Sequence, residues 1–246
     1  FFGQGIFGKT SNYYLIANKS KVNFNKYKTF LYKNNLTFKV LKNSFNKKYI
    51  KNHIITDEKI LDYFKFKKKI LNKIHNSKLK VNLNKEFKKS FLKNFDKVLV
   101  VTYANNNFVL KKLGIKKLDE FKFELVEKIV IKLPQKFKKK SYVVVDGKFV
   151  CVDPYLGTNY HLLSDVKFSK LETTIGRFPL FKHENKKFLN KGIIKNLKIS
   201  KFNNFIKRST DYLPFLKDAK YIGSIFVVRT VMKNKEKTDE RTSMVK

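Results

Sequence analysis

Cysteine is almost missing from this chain. Cys151 is the only one in 246 residues, which excludes an internal disulfide framework and a cysteine-based zinc cluster. Proline, at 4, and glycine, at 9, are also scarce, and 42% of residues are apolar, so the composition is globular rather than collagen-like or disordered. No apolar run approaches the ~18 residues of a membrane span, and no signal-peptide pattern opens the chain, so the cytosol is the expected compartment. Alanine occurs only at positions 17, 104 and 219, and arginine only at 177, 208, 229 and 241.

What is abundant is lysine. The formal charge is +37, and its first reading is an electrostatic footprint for nucleic acid or an anionic surface. Two features argue against that reading. Only four of the 56 basic residues are arginine, whose guanidinium fork carries most base readout and phosphate clamping. The lysines are also spread over the polar faces of periodic segments, and the enrichment of Lys, Asn, Phe and Ile with scarce Ala is the residue usage of an A/T-rich genome. A lysine-rich nucleic-acid or anionic-surface binder without catalysis stays as the alternative reading.

Several catalytic signatures are missing as well. There is no Gly-x-Ser-x-Gly elbow and no phosphate loop with Gly-Lys-Ser/Thr. Histidines 53, 75, 161 and 183 are dispersed, and no pair has the spacing of a helical metal site, so no metal is expected. Gly3, Gly5 and Gly8 match the spacing of a dinucleotide fingerprint. The sequence after them is strand-like rather than helical, and the first acidic residue is Asp57, far beyond the ~20 residues that fingerprint wants. The match reads as a loop coincidence.

Periodicity gives mixed α and β. Residues 13–17, 36–41, 79–83, 98–101 and 221–232 read as strands, and 98–101 is an unbroken β-branched and leucine run of the kind buried on both faces. Apolar residues recur at helical spacing in 24–31 behind Asn23, a candidate cap, in 63–74, and in 202–213 before Pro214. Residues 121–133 alternate as one long half-buried strand, with Glu127 as the interruption. Residues 142–145, Asp146-Gly147 and 148–152 read as a hairpin, because both central positions of a type I′ turn need φ > 0. The fold class is therefore α/β with α+β character, around a large, mostly antiparallel sheet.

Three side chains stand out chemically. Cys151, between Val150 and Val152, reads as a small buried apolar residue. His161 follows the loop 153–158 and is the one histidine with a site-like context, although a structural role fits it better. Arg229 lies in the apolar strand Phe226-Val-Val-Arg-Thr-Val, where an unpaired charge is costly. It should meet a carboxylate, either an internal partner or an anionic substrate group. Arg241 has local acids at Asp239 and Glu240 and reads as structural.

The blocks Tyr142-Val-Val-Val-Asp-Gly-Lys-Phe-Val-Cys-Val-Asp-Pro-Tyr155, His161-Leu-Leu-Ser-Asp-Val and Gly223-Ser-Ile-Phe-Val-Val-Arg229, with Thr238-Asp-Glu-Arg241, resemble FAD-dependent oxidoreductases of the D-amino-acid-oxidase type. Residues 13–22 and 56–107 fit the same pattern, so the resemblance covers most of the chain through order and spacing rather than through any one motif. It implies a substrate-domain sheet with helices plus part of a Rossmann-like FAD domain, divided into a substrate-domain entry segment 1–50, a partial FAD-binding domain 51–112, a substrate or cap domain 113–220 and a returning strand 221–246. It implies FAD as cofactor, with Phe87, Thr102, Tyr103 and Ala104 beside it, and a small-molecule substrate held by Arg229, His161 and Tyr155. The implied chemistry is oxidation of a C–N or C–O bond by hydride transfer to flavin. The family's Gly-rich pyrophosphate turn and its closing segment have no counterpart in these 246 residues. The chain alone is therefore expected to be a fragment, to be colourless after purification and not to bind FAD tightly. No oligomeric state and no electron acceptor follow from the resemblance.

Overall fold

The computed structural model describes residues 3–42, 45–145 and 149–233. In chain order its strands and helices are β1 (Phe7–Gly8), β2 (Ser11–Ala17), α1 (Phe24–Lys33), β3 (Phe38–Leu41), β4 (Ile50–Thr56), β5 (Ile60–Leu61), α2 (Tyr63–His75), α3 (Asn106–Lys112), β6 (Phe121–Lys132), β7 (Lys140–Val145), β8 (Val150–Tyr155), β9 (Tyr160–Asp165), β10 (Lys170–Gly176), α4 (His183–Lys186), α5 (Phe202–Tyr212) and β11 (Lys220–Met232). They fall into two compact units, one made of 1–79, 128–169 and 193–225, the other of 80–127, 170–192 and 226–246. Strands β6 and β11 each pass from one unit into the other.

In the larger unit the second half of β6 is followed across the sheet by β9, β8, β7, β2, β4 and β3. Each neighbouring pair is antiparallel except β2 and β7, which run parallel. Period-two alternation sorts the side chains. Tyr13 and Leu15 on β2 share a face with Tyr142 and Val144 on β7, Val150 and Val152 on β8, Leu163 on β9, and Ile129 and Ile131 on β6. Helix α5 lays Phe205 on that face, its C-cap Leu213 follows, and Leu216 is added by the turn that Pro214 starts. Burying this stripe is what holds α5 to the sheet, since its outer face is polar. Its Arg208 also pairs with the buried Asp165 of β9. Asn23 caps α1 by accepting from the Lys26 N–H at 2.8 Å, and Asp62 caps α2 by accepting from the Lys65 N–H at 3.1 Å.

In the smaller unit β10 pairs antiparallel with the first half of β6, through Glu172↔Leu125 and Thr174↔Phe123, with an irregularity between Lys170 and Glu172. Strand β11 also pairs with β6. The side chain of Asn107 on α3 donates to the carbonyls of Asp119, at 2.8 Å, and Arg177, at 2.7 Å, which ties α3 to the ends of that sheet.

Several expectations need correction. Residues 79–83 and 98–101 are not strands. Far from being buried on both faces, Val98, Leu99 and Val101 are 42%, 84% and 75% exposed. The physical reason is that a strand exists only against a neighbour that takes its N–H and C=O groups, and no described strand pairs with either run. Strand 121–133 is not half-buried, because Glu124, Val126 and Val130 on its second face are buried too. Strands β4, β9 and β10 and the two-residue β1 and β5 are not among the strands that periodicity predicts. The glycine segment forms a 3₁₀ turn, Gln4–Ile6, and then β1, with no helix after it, in line with rejection of the fingerprint. β7 and β8 do pair as a hairpin, but its Asp146-Gly147 turn lies outside the described residues, as does the Thr238–Arg241 motif.

Candidate functional site

Arg229 meets the carboxylate its apolar strand demands. Its Nε donates to Glu124 Oε2 at 2.7 Å and one Nη donates to the same oxygen. Glu124 is fully buried, and Lys170 Nζ lies 2.6 Å and Lys122 Nζ 3.6 Å from its other oxygen. Burial pushes the Glu124 carboxyl up, but Lys170 and Arg229 outweigh burial and hold it below the usual range. One edge of the guanidinium is thus locked, while the second Nη makes no hydrogen bond among the described residues and the side chain is 35% exposed. Such a group can still take an oxyanion on its outer edge.

Tyr103 stands beside this pair. Its hydroxyl accepts from the Thr230 N–H at 3.0 Å, one residue along β11 from Arg229. It does so from a left-handed backbone, φ 52°, which is uncommon for a bulky residue and costs energy that this contact helps to offset. Thr102 is differently engaged: its N–H and its hydroxyl both donate to Asn106 Oδ1, at 2.7 and 2.9 Å, and so are satisfied within the loop. Ala104 follows in the 3₁₀ turn Tyr103–Asn105, and Phe87 packs edge-on against Phe91 at 6.3 Å between ring centres. The smaller unit therefore brings Tyr103 and Arg229 together, whereas the ring contact of Phe87 among the described residues is the local one with Phe91.

The two remaining expected residues lie in the larger unit. Across β8 and β9, Pro154 pairs with His161 and Tyr155 with Tyr160, so alternation puts Tyr155 and His161 on opposite faces of the sheet. His161 is buried on the face shared with Ile131 and Leu163, and its Nε2–H donates to the Phe137 carbonyl at 3.1 Å. Tyr155 is on the other face, with its ring 5.6 Å from that of Phe64 on α2. On that same face Asp153 accepts from Ser141 Oγ at 2.6 Å and from the Cys151 thiol, which burial and then Asp153 push well up. Nearby, the Tyr14 hydroxyl donates to the Glu58 carboxylate, and burial first, then Glu58, raises Tyr14 far above its ordinary value.

At the edge of this face a cleft of about 1100 Å³ opens between the glycine segment, the loop before α2 and the turn before β7. Gly157 helps close its wall: at φ 84° an added Cβ would stand 2.6 Å from the Phe64 ring. Sequence reasoning missed Glu124, Ser141, Tyr14 and this cleft. The one available signal was for Glu124, a carboxylate on a strand face that also carries Val126 and Val130.

His53 and His161 are both buried, and burial lowers both, although the Phe137 carbonyl partly offsets this at His161. Their folded forms resist protonation, so as pH falls below about 6.5 the unfolded chain binds protons first and stability declines. Above about 6.5 the contribution is complete. In urea titrations between pH 7.5 and 5, His53→Gln with His161→Gln should flatten this decline. An unchanged slope would mean that other groups cause it.

No protein-family profile matches the chain, and no curated protein does. Solved structures are similar in fold. The L-proline dehydrogenase from P. horikoshii superposes with a TM-score of 0.63 at 10% identity, covering 93% of this chain and 62% of that one. A glycine oxidase from Geobacillus kaustophilus gives 0.57 at 11% identity, covering 93% and 61%, and one from Bacillus cereus ATCC 14579 gives 0.51 at 9%, covering 92% and 61%. The chain spans about three fifths of the length of each, and at such identities the likeness is one of fold.

Proposed function

We propose that this chain is the substrate-side part of an FAD-dependent oxidoreductase that acts on the C–N bond of a small carboxylated amine. The observation that carries this is Arg229, oriented by a buried carboxylate on one edge and open on the other, which suits a bidentate grip on a substrate carboxylate. The fold likeness to proteins named for L-proline and glycine favours an amino acid over an alcohol. Tyr103, fastened to β11 next to Arg229, would border the same place.

The described residues do not fit the whole cofactor. Segment 3–8 is a 3₁₀ turn and a strand rather than a turn feeding a helix, and Thr102 N–H is already satisfied, so neither segment offers the helix N-terminus that would hold the pyrophosphate of FAD. No chemical step is therefore assigned through FAD. Arg229 would orient the substrate, and the sheet would exclude water from it.

The test uses the polypeptide that carries this sequence, purified from its natural source, beside the 246-residue chain. The former should absorb near 450 nm and bleach anaerobically with glycine or L-proline, and Arg229→Met should raise KM more than it lowers kcat. The 246-residue chain should be colourless. A natural protein free of flavin, or a flavin that neither amino acid reduces, overturns the function; tight FAD binding by the 246-residue chain overturns the incomplete cradle.

A further inference from the structure

We propose that the cleft of the larger unit is a binding site for a small multivalent oxyanion, gripped by the lysines of the turn 138–140. This site does not depend on the flavin reading. Its wall carries Lys138, Lys139 and Lys140 in succession, with Lys9 and Thr10 on the adjoining segment. None of these four lysines has an ion pair among the described residues. The acids of the cleft are Asp57, Glu58 and Asp62, and two are committed: Glu58 to the Tyr14 hydroxyl, and Asp62 to the cap of α2 and to Lys65, 3.7 Å away. A concave wall with spare cationic groups concentrates anions more than a convex lysine surface does.

The backbone of this turn is what separates it from the rest of a lysine-rich surface. Lys138 has φ −52° and ψ 134°, and Lys139 has φ 61°. That is a type II turn with a lysine at the position that asks for glycine. Such strain persists only where neighbours impose it, and it gathers at functional sites. Two bonds impose it here. The Ser11 N–H donates to the Lys139 carbonyl at 3.0 Å, and the buried His161 donates through Nε2 to the Phe137 carbonyl at 3.1 Å. His161 is thus a positioning residue for the lysine turn rather than a group that touches the ligand. Thr10, next to the Ser11 that holds the turn, lines the cleft as well, and its own hydroxyl is buried without a hydrogen-bond partner among the described residues.

Lysine ammonium groups recognise phosphate and carboxylate alike, as point charges. Inorganic pyrophosphate and citrate are therefore the probes, titrated calorimetrically into the chain at 150 mM NaCl. At least one should bind saturably at one site, and the tighter of the two assigns the ligand class. Lys138→Gln, Lys139→Gly and Lys140→Gln together should weaken it about tenfold, the loss of three partly exposed charge contacts. Lys19→Gln, Lys26→Gln and Lys33→Gln, which remove the same charge away from the cleft, should change it by less than about twofold. Lys139→Gly alone should weaken binding while raising the melting temperature, because it relieves the left-handed lysine; a lysine with only a structural role would move stability and leave affinity alone. Absence of saturable binding by both probes, or equal weakening by the two triple variants, overturns the site.

Discussion

Arg229→Met is expected to destabilise the protein by about 3 kcal/mol, a fall in melting temperature of about 6–12 °C for a chain of this size. The cost arises because the change strands a carboxylate that water cannot reach. Glu124 is fully buried, and Arg229 supplies two of its hydrogen bonds. Loss of one partner of a buried pair commonly costs about 3–5 kcal/mol. The lower end applies, since Lys170 remains 2.6 Å from Glu124 and Arg229 is itself partly hydrated. Removing both charges as Glu124→Leu with Arg229→Met should cost less than the sum of the single changes. Additivity within about 0.5 kcal/mol in a thermal-denaturation double-mutant cycle would show that the two do not interact. The sign with pH follows from the lowered Glu124. Its contribution is present above the ordinary carboxylate range and is lost as pH falls through its depressed value, so Glu124→Gln should remove that part of the acid limb.

Phe205→Ala should be at least as damaging, at about 3–5 kcal/mol, with a melting temperature lower on the order of 10 °C. Phe205 is fully buried in the cluster where α5 meets the sheet, among residues such as Ile129, Leu163 and Leu216. Truncation removes the main apolar anchor of the helix and leaves a cavity that a β-sheet cannot collapse to fill. Phe30 on α1 is the control: it is 55% exposed, and Phe30→Ala should stay within about 0.5 kcal/mol. A Phe205→Ala cost as small as that of Phe30→Ala would mean that α5 is not held by this contact.

Much of this was legible from local pattern. Strand β2, helices α1, α2 and α5, the long strand β6 and the returning strand β11 all announce themselves by apolar periodicity, and Asn23 and Pro214 mark helix ends as expected. The need of Arg229 for a carboxylate was also legible, because burying a charge in an apolar strand is costly whatever the fold. The identity of the partner was not, since Glu124 lies 105 residues away and only the pairing of β11 with β6 joins them.

Composition and periodicity thus determined the class of fold, the segments with an apolar face and the one arginine that had to be neutralised, because these depend on free energies that each residue carries locally. Tertiary structure alone decided which face each residue joined. Alternation across β8 and β9 separates Tyr155 from His161, and the apolar runs at 79–83 and 98–101 stay unpaired. It also built the lysine turn at the cleft, through bonds from Ser11 and His161 that are distant in sequence. Register, pairing and backbone strain are properties of two segments at once, and no single stretch of chain contains them.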